Sequence, residues 1–330
     1  MAVHPLKRLP TSELDTRRVE ETLLGTVHID GDPYLTEIAS HLIKAGGKRL
    51  RPRFAIAAAA CALPDGEPVH IDVVRGGVSV ELVHIGSLYH DDVMDEAKLR
   101  RQVESVNARW GNLRAILAGD YLLAKASEIA ADLGVEVAGL LATTISHLCQ
   151  GQVGELQTLY DTQRNESQYF PSIEGKTASL YAAAARIGGI VSGQDRAAID
   201  SLTEFGRLYG MAFQVVDDIL DVVASDEQLG KPAGNDMLEG VYSLPVIHTL
   251  GSAAGADLRP LLSDDMCESD RLAAIEIVRN GPGVASAHGV AVGFVNEAKD
   301  VIATVSDNDV AHALAAACDH LLASAAAVAG

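Results

Sequence analysis

Prolines punctuate this chain, and the places where they are missing limit what it can fold into. None interrupts residues 69–170 or 172–231. Proline breaks helix interiors, so both stretches are open to long helices. Both are rich in Ala, Leu and Glu, which favour helix. Apolar residues recur at three and four, as in Leu117, Tyr121, Leu122, Ala124 and Ile129. Alternating β-branched runs are scarce. The expected fold class is all-α, with turns near residues 31–33, 46–47, 63–68, 163–171, 229–234 and 280–283. Connections this short favour a single domain over residues 1–330. The Ala-rich stretch 310–330 reads as a packed terminal helix.

Two acidic motifs sit inside these helical stretches, DDVMD at 91–95 and DDILD at 217–221. Each places aspartates at i, i+1 and i+4. On a helix of about 3.6 residues per turn, i and i+4 share a face and i+1 stands close beside them. Apolar residues flank both copies: Ile85, Leu88 and Tyr89 before the first, Met211, Phe213, Val215 and Val216 before the second. One such motif alone is usually a solvated helix face. Two with matching spacing in apolar surroundings are costly unless a cation neutralises them. Hard oxygen ligands suit Mg²⁺, which a few carboxylates and substrate phosphates hold together. Facing each other, the clusters would hold several such ions around one diphosphate. The spacing matches neither an EF-hand loop nor a di-iron helix bundle, which needs Glu-x-x-His pairs.

A net charge of −19 argues against a general nucleic-acid surface. Cys61, Cys149, Cys267 and Cys318 lie far apart without ligand spacing, which points to a reducing cytoplasm. No secretory leader pattern and no run of 18 apolar residues is visible, so a cytoplasmic chain without a transmembrane segment is expected. Against this acidity stands GGKRLRPR at 46–53, with Lys48, Arg49, Arg51 and Arg53 after two glycines. Arg51 precedes Pro52, which favours a helix start there, and helix starts attract anions. Arg100 and Arg101 follow the first acidic motif, and Lys176, Thr177 and Lys231 add further polar and cationic groups.

In this order, the segments resemble the trans-isoprenyl diphosphate synthases, or polyprenyl synthetases. The resemblance runs from about Gly46 to Pro245 and rests on GGKRLRP, ELVHIGSLYHDDVMDE, RR (100–101), WG (110–111), AGDYLL, GE (154–155), GKTASL, FG (205–206), FQVVDDILD, LGKP and EGVYSLP. It implies a bundle of long helices around a central cavity, usually paired as a homodimer. It implies that Lys48, Arg51, His84 and Arg101 bind the diphosphate of isopentenyl diphosphate. Asp91, Asp92 and Asp95, with Asp217, Asp218 and Asp221, would hold Mg²⁺ bridging an allylic diphosphate. Arg100, Lys176, Thr177, Gln214 and Lys231 would contact that allylic diphosphate. The residues implied to be catalytic are Asp91, Asp92, Asp95, Lys176, Asp217 and Asp218. One departure is Val241, where the family often has a lysine.

The implied reaction is prenyl transfer: the allylic C–O bond breaks, the double bond of isopentenyl diphosphate attacks, and a proton is lost. Product length is expected to depend on the channel below the first motif. Gly86 and Ser87, one turn before Asp91, are small. Farnesyl-type relatives carry aromatic residues there and often a two-residue insertion in the motif. Their absence resembles a long-chain synthase, such as those making quinone side chains. A shorter-chain farnesyl or geranylgeranyl synthase is the alternative, followed by a non-catalytic partner subunit. A terpene cyclase would not need the GGKRLRP and His84 set. Transient membrane contact during product release is compatible with this reading.

Overall fold

The computed structural model describes residues 3–225 and 232–329, with side chains to residue 326. A 3-10 turn at Pro5–Lys7 leads into helices α1 (Ser12–Val27), α2 (Pro33–Lys44), α3 (Leu50–Ala60) and α4 (Ile71–Met94). A two-stranded hairpin, Leu99–Arg100 with Val103–Glu104, separates α4 from α5 (Val106–Trp110). Then come α6 (Asn112–Asp132), α7 (Val135–Leu156), α8 (Glu166–Ile173), a π-turn at Glu174–Ala178, α9 (Ser179–Val191) and α10 (Arg196–Val223). The remaining helices are α11 (Asn235–Leu238), α12 (Leu244–Leu250), α13 (Gly255–Leu258), α14 (Glu268–Asn280), α15 (Gly283–Ile302) and α16 (Asp309–Ala329).

Local sequence sets several helix starts. Asp32 caps α2, its carboxylate accepting the Leu35 N–H at 2.9 Å, with Pro33 as first helical residue. Asn165 and Gln168 form a reciprocal capping box on α8. Asp195 caps α10 through the Ala198 N–H at 2.9 Å.

Helix α4 is buried on every side over most of its length, as expected of a helix enclosed by others. It packs against α1, α3, α6 and α9, while α10 packs against α9, α15 and α16. Between them lies an aromatic cluster. Phe54 and Tyr209 ring centroids are 4.4 Å apart, and Tyr181 stands 5.2 Å from both. A second, smaller core gathers Val222, Met237, Tyr242, Val246 and Val278 near the end of α10. Among the described residues no helix is long and apolar enough to cross a membrane.

Two expectations need correction. Pro171 does not lie in a break, because α8 runs through it. A proline there withholds an N–H from the preceding turn, and the helix widens into the π-turn just beyond it. Gly86 does not open onto a path. A Cβ there would lie 3.1 Å from the Gly119 carbonyl oxygen and 3.4 Å from Leu123. Its missing side chain is what lets α4 and α6 cross closely.

Candidate active site

Both acidic motifs lie at helix C-termini. Asp91 and Asp92 occupy the last turn of α4 and Asp95 is its C-cap, while Asp217, Asp218 and Asp221 fall in the last two turns of α10. The macrodipole makes this the unfavourable end for an anion, so the need for an external cation is greater than the sequence alone suggests.

In the first motif, Asp92 is fully buried. Arg100 donates to its Oδ1 from Nε and Nη2 at 2.7 and 2.6 Å. Its Oδ2 is buried with no hydrogen-bond partner. Asp91 is half-buried, and burial pushes its carboxyl up to about 6; Lys176 opposes the rise and Asp95 reinforces it. Burial raises Asp95 and Asp92 as well. The hairpin turn delivers Arg100. Arg101 and Gln102 both have positive φ, 53° and 65°, as a type I′ turn requires. The two arginines therefore diverge: Arg101 donates to the carbonyls of Leu42, at 2.8 Å, and Gly46.

In the second motif, Asp218 is buried and both its oxygens are occupied. Tyr169 donates its hydroxyl to Oδ2 at 2.5 Å and Gln214 donates Nε2 to Oδ1 at 2.8 Å. Thr177 in turn donates to Gln214 Oε1 at 2.7 Å. Burial pushes the Asp218 carboxyl up to about 7, against the pull of these two donors. Asp217 is exposed, whereas Asp221 is buried and its Oδ2 accepts the Asp236 N–H at 3.3 Å. Lys231 lies outside the described residues.

Glu155 stands between the motifs. It raises the pKa of Asp91, Asp95 and Asp218 alike, and accepts the Lys176 ammonium at 2.7 Å. Burial works against the charge on Lys176, but Glu155 and Asp91 outweigh it and hold its pKa above the usual range. A close helix approach sets this pairing. A Cβ on Gly151 would lie 2.6 Å from both Lys176 N and the Ser172 carbonyl oxygen. One turn beyond Gly151, Glu155 is thereby brought beside the π-turn that carries Lys176.

A cavity of about 380 Å³ opens along the same face of α4, two turns before Asp91, lined by Lys48, Arg51, His84, Arg101, Tyr181 and Phe213 among others. Arg51 stacks over Tyr181 with 5.1 Å to the ring centroid. Burial lowers the pKa of His84 well below its usual value, and Arg51 and Arg101 add to the effect, so the imidazole is neutral. Two basic residues of GGKRLRPR are committed elsewhere. Arg49 is buried and pairs with Glu20 at 2.7 Å and Glu81 at 3.2 Å. Arg53 donates to Ser12 and Thr16 hydroxyls at 2.9 and 2.6 Å.

A polyprenyl synthetase model matches residues 32–278. The chain belongs to the polyprenyl synthetase family. It is 38% identical to the nonaprenyl diphosphate synthase of Mycobacterium tuberculosis over 92% of this chain and 90% of that protein. It is 41% identical to heptaprenyl diphosphate synthase component 2 of Geobacillus stearothermophilus over 72% of each. Shorter-chain synthases are also similar: the geranylgeranyl diphosphate synthase of Methanosarcina mazei is 35% identical over 83% of this chain and 84% of that protein. Among solved structures, the polyprenyl synthase of Caulobacter crescentus, complexed with calcium and isoprenyl diphosphate, aligns with a TM-score of 0.88 at 30% identity, covering 96% of each chain. Its helical fold is that of the family.

The sequence reading did not assign Glu155, Tyr169 or Arg164. Arg164 is buried, donates to the Tyr242 carbonyl at 3.0 Å and lies over the Tyr169 ring at 5.7 Å. Glu155 had a visible signal, an acidic residue four after a glycine in a helical stretch, but only the crossing shows what it meets. Tyr169→Phe should lower turnover about tenfold and raise the Mg²⁺ concentration needed for half-maximal rate, since it removes a hydrogen bond to a charged group. A metal titration of the initial rate checks this; identical curves would remove Tyr169 from the site.

Proposed function

We propose that this chain is a long-chain trans-polyprenyl diphosphate synthase, a single synthetase domain that elongates an allylic diphosphate with isopentenyl diphosphate. The observation that carries the reading is two unlike sites neighbouring each other along one face of α4: carboxylates with Lys176 and Arg100, and an arginine-lined cavity with a neutral histidine.

The carboxylate site fits Mg²⁺. Its donors are all oxygen, and Asp92 Oδ2 is a buried acceptor without a protein donor. Among the described residues no three His, Cys, Asp or Glu side chains already form a metal-holding group. Like charges at helix ends stand apart, and diphosphate oxygens and water would complete the shell. Asp91 and Asp95 would ligate directly, and Asp217, which already has a partner, would ligate by exchanging or sharing it. Asp92, Asp218 and Asp221 are held by Arg100, by Tyr169 and Gln214, and by the Asp236 N–H, so they would ligate by exchanging or sharing those partners. Bound Mg²⁺ would supply neutralising charge to the departing diphosphate.

The chain's own groups do the rest. Lys176 and Arg100 place positive charge where that diphosphate leaves. Arg51, Arg101 and Lys48 hold the second diphosphate, and the neutral His84 can donate a hydrogen bond to it without adding charge. The aromatic wall of Tyr181 and Phe213 excludes water, which would otherwise capture the allylic cation. As the new C–C bond forms, the proton lost passes to the departing diphosphate. Val241 offers no cation at its position, which leaves Lys176, Arg100 and Lys231 on the allylic side.

A homodimer in the cytoplasm is the working form in this proposal. Leu113, Ile116 and Leu117 form an exposed apolar stripe on α6, with Leu113 78% and Leu117 66% exposed, which supports pairing through that helix.

Product length rests on Ser87, the small residue one turn before Asp91. It is half-buried and its hydroxyl donates to the His84 carbonyl at 2.9 Å. Ser87→Phe should shorten the products to about C15–C20 while sparing the first condensation, because a ring in a packed wall cannot be pushed aside without strain. Gly86→Phe should instead disturb folding, since it strikes α6. Mass spectrometry of the prenyl alcohols checks the first; an unchanged length distribution in folded Ser87→Phe would detach Ser87 from the channel.

A further inference from the structure

The chain carries a net charge of −19, yet both proposed substrates are polyanions. An acidic field slows such ligands unless a local reversal of sign guides them in. A reversal of this kind lies where the Pro5–Lys7 turn, the loop before α3 and helix α16 meet. The His4 and His320 rings pack edge to face there, with centroids 5.2 Å apart. Lys48 lines the arginine cavity and also lies within electrostatic reach of both rings. Lys7 reaches His4, and Arg8 reaches His320. Lys7, Arg8 and Lys48 are exposed, and none is in an ion pair with a described residue. Their neighbours Arg49 and Arg53 are already held by protein partners. The His4 Nε2 is buried without a hydrogen-bond partner.

We infer that Lys7, Arg8 and His320 form, with Lys48, an outer anion site that captures the diphosphate of isopentenyl diphosphate before it passes inward to Arg51 and Arg101. The inference rests on the reading of the cavity given above. Exposed charges of this kind bind weakly and reversibly, so the site acts on association and leaves the chemical step alone. Its effect should be largest at low salt.

The test is a Lys7→Ala/Arg8→Ala double variant of the full chain, assayed at about 10 mM ionic strength, where the Debye length is about 30 Å. The expected result is a rise of about fivefold in KM for isopentenyl diphosphate, with kcat and the allylic KM unchanged. The salt dependence of that KM should flatten, and isothermal titration with inorganic diphosphate should show weaker binding. Unchanged KM and salt dependence would overturn the inference, as would an equal rise in both substrates' KM. Loss of binding to phosphatidylglycerol vesicles with no change in KM would make the patch a membrane contact and also overturn it. A wild-type protein that consumes no isopentenyl diphosphate would refute the functional reading itself; unweakened diphosphate binding by the variant would refute the outer site alone.

Discussion

Asp91→Asn should lower elongation on the order of a hundred- to a thousandfold and make the metal-free protein more stable, not less. Asparagine keeps the shape of the side chain and removes its charge. Without a cation that charge is unwelcome: burial, reinforced by Asp95, drives the Asp91 carboxyl up to about 6. Lys176 relieves it only in part, because its ammonium is 2.7 Å from Glu155. The substitution would therefore relieve repulsion in the metal-free protein and remove a proposed ligand from the metal-loaded one. Steady-state rates and melting in chelator measure the two effects. Lost activity with a lower melting temperature would mean that Asp91 is structural, and retained activity would remove it from the metal shell.

In chelator, Asp91→Asn/Asp218→Asn should gain stability over the wild type as pH rises from about 4 to about 7, reaching a difference on the order of 5 °C in Tm. The sign follows from the two carboxyls. Their folded pKa values, about 6 and about 7, lie above the unfolded value of about 3.9. Their protonated forms are thus favoured in the fold. That stabilisation is complete below the unfolded pKa and is lost as pH rises through the folded values. His84 acts in the opposite sense, because burial lowers its pKa and it gains stability as pH rises towards about 6.5. Comparing the variant with the wild type cancels this histidine term. Mg²⁺ with inorganic diphosphate should narrow the difference by binding the charged carboxylates. Parallel melting curves across the range would show that neither carboxyl is strained.

Much of this was legible in the sequence, for physical reasons that differ by residue. The all-α class followed from proline-free stretches with helical periodicity. The Asp motifs stood out because like charges recur at one spacing in apolar surroundings, whereas roles for Lys48, Arg51 and Lys176 came only from the ordered resemblance to the family. What escaped were contacts made by helix crossings. Gly86 looks like an open position in a linear motif, yet its neighbour is the Gly119 carbonyl on another helix. Glu155 and Tyr169 meet Lys176 and Asp218 across 21 and 49 residues of chain. Pro171 reads as a break, but a capped helix and a π-turn absorb it. Nor does a run such as GGKRLRPR say that Arg49 and Arg53 turn towards protein partners while Arg51 turns to the cavity.

The most direct test is to incubate the purified chain with farnesyl diphosphate, ¹³C-labelled isopentenyl diphosphate and Mg²⁺, and to determine the products by mass spectrometry. The account predicts a ladder of all-trans prenyl diphosphates rising in five-carbon steps well beyond the farnesyl primer, absent in chelator and with Asp91→Asn. Products formed without isopentenyl diphosphate, or no incorporation of label by a folded, metal-loaded protein, would contradict it.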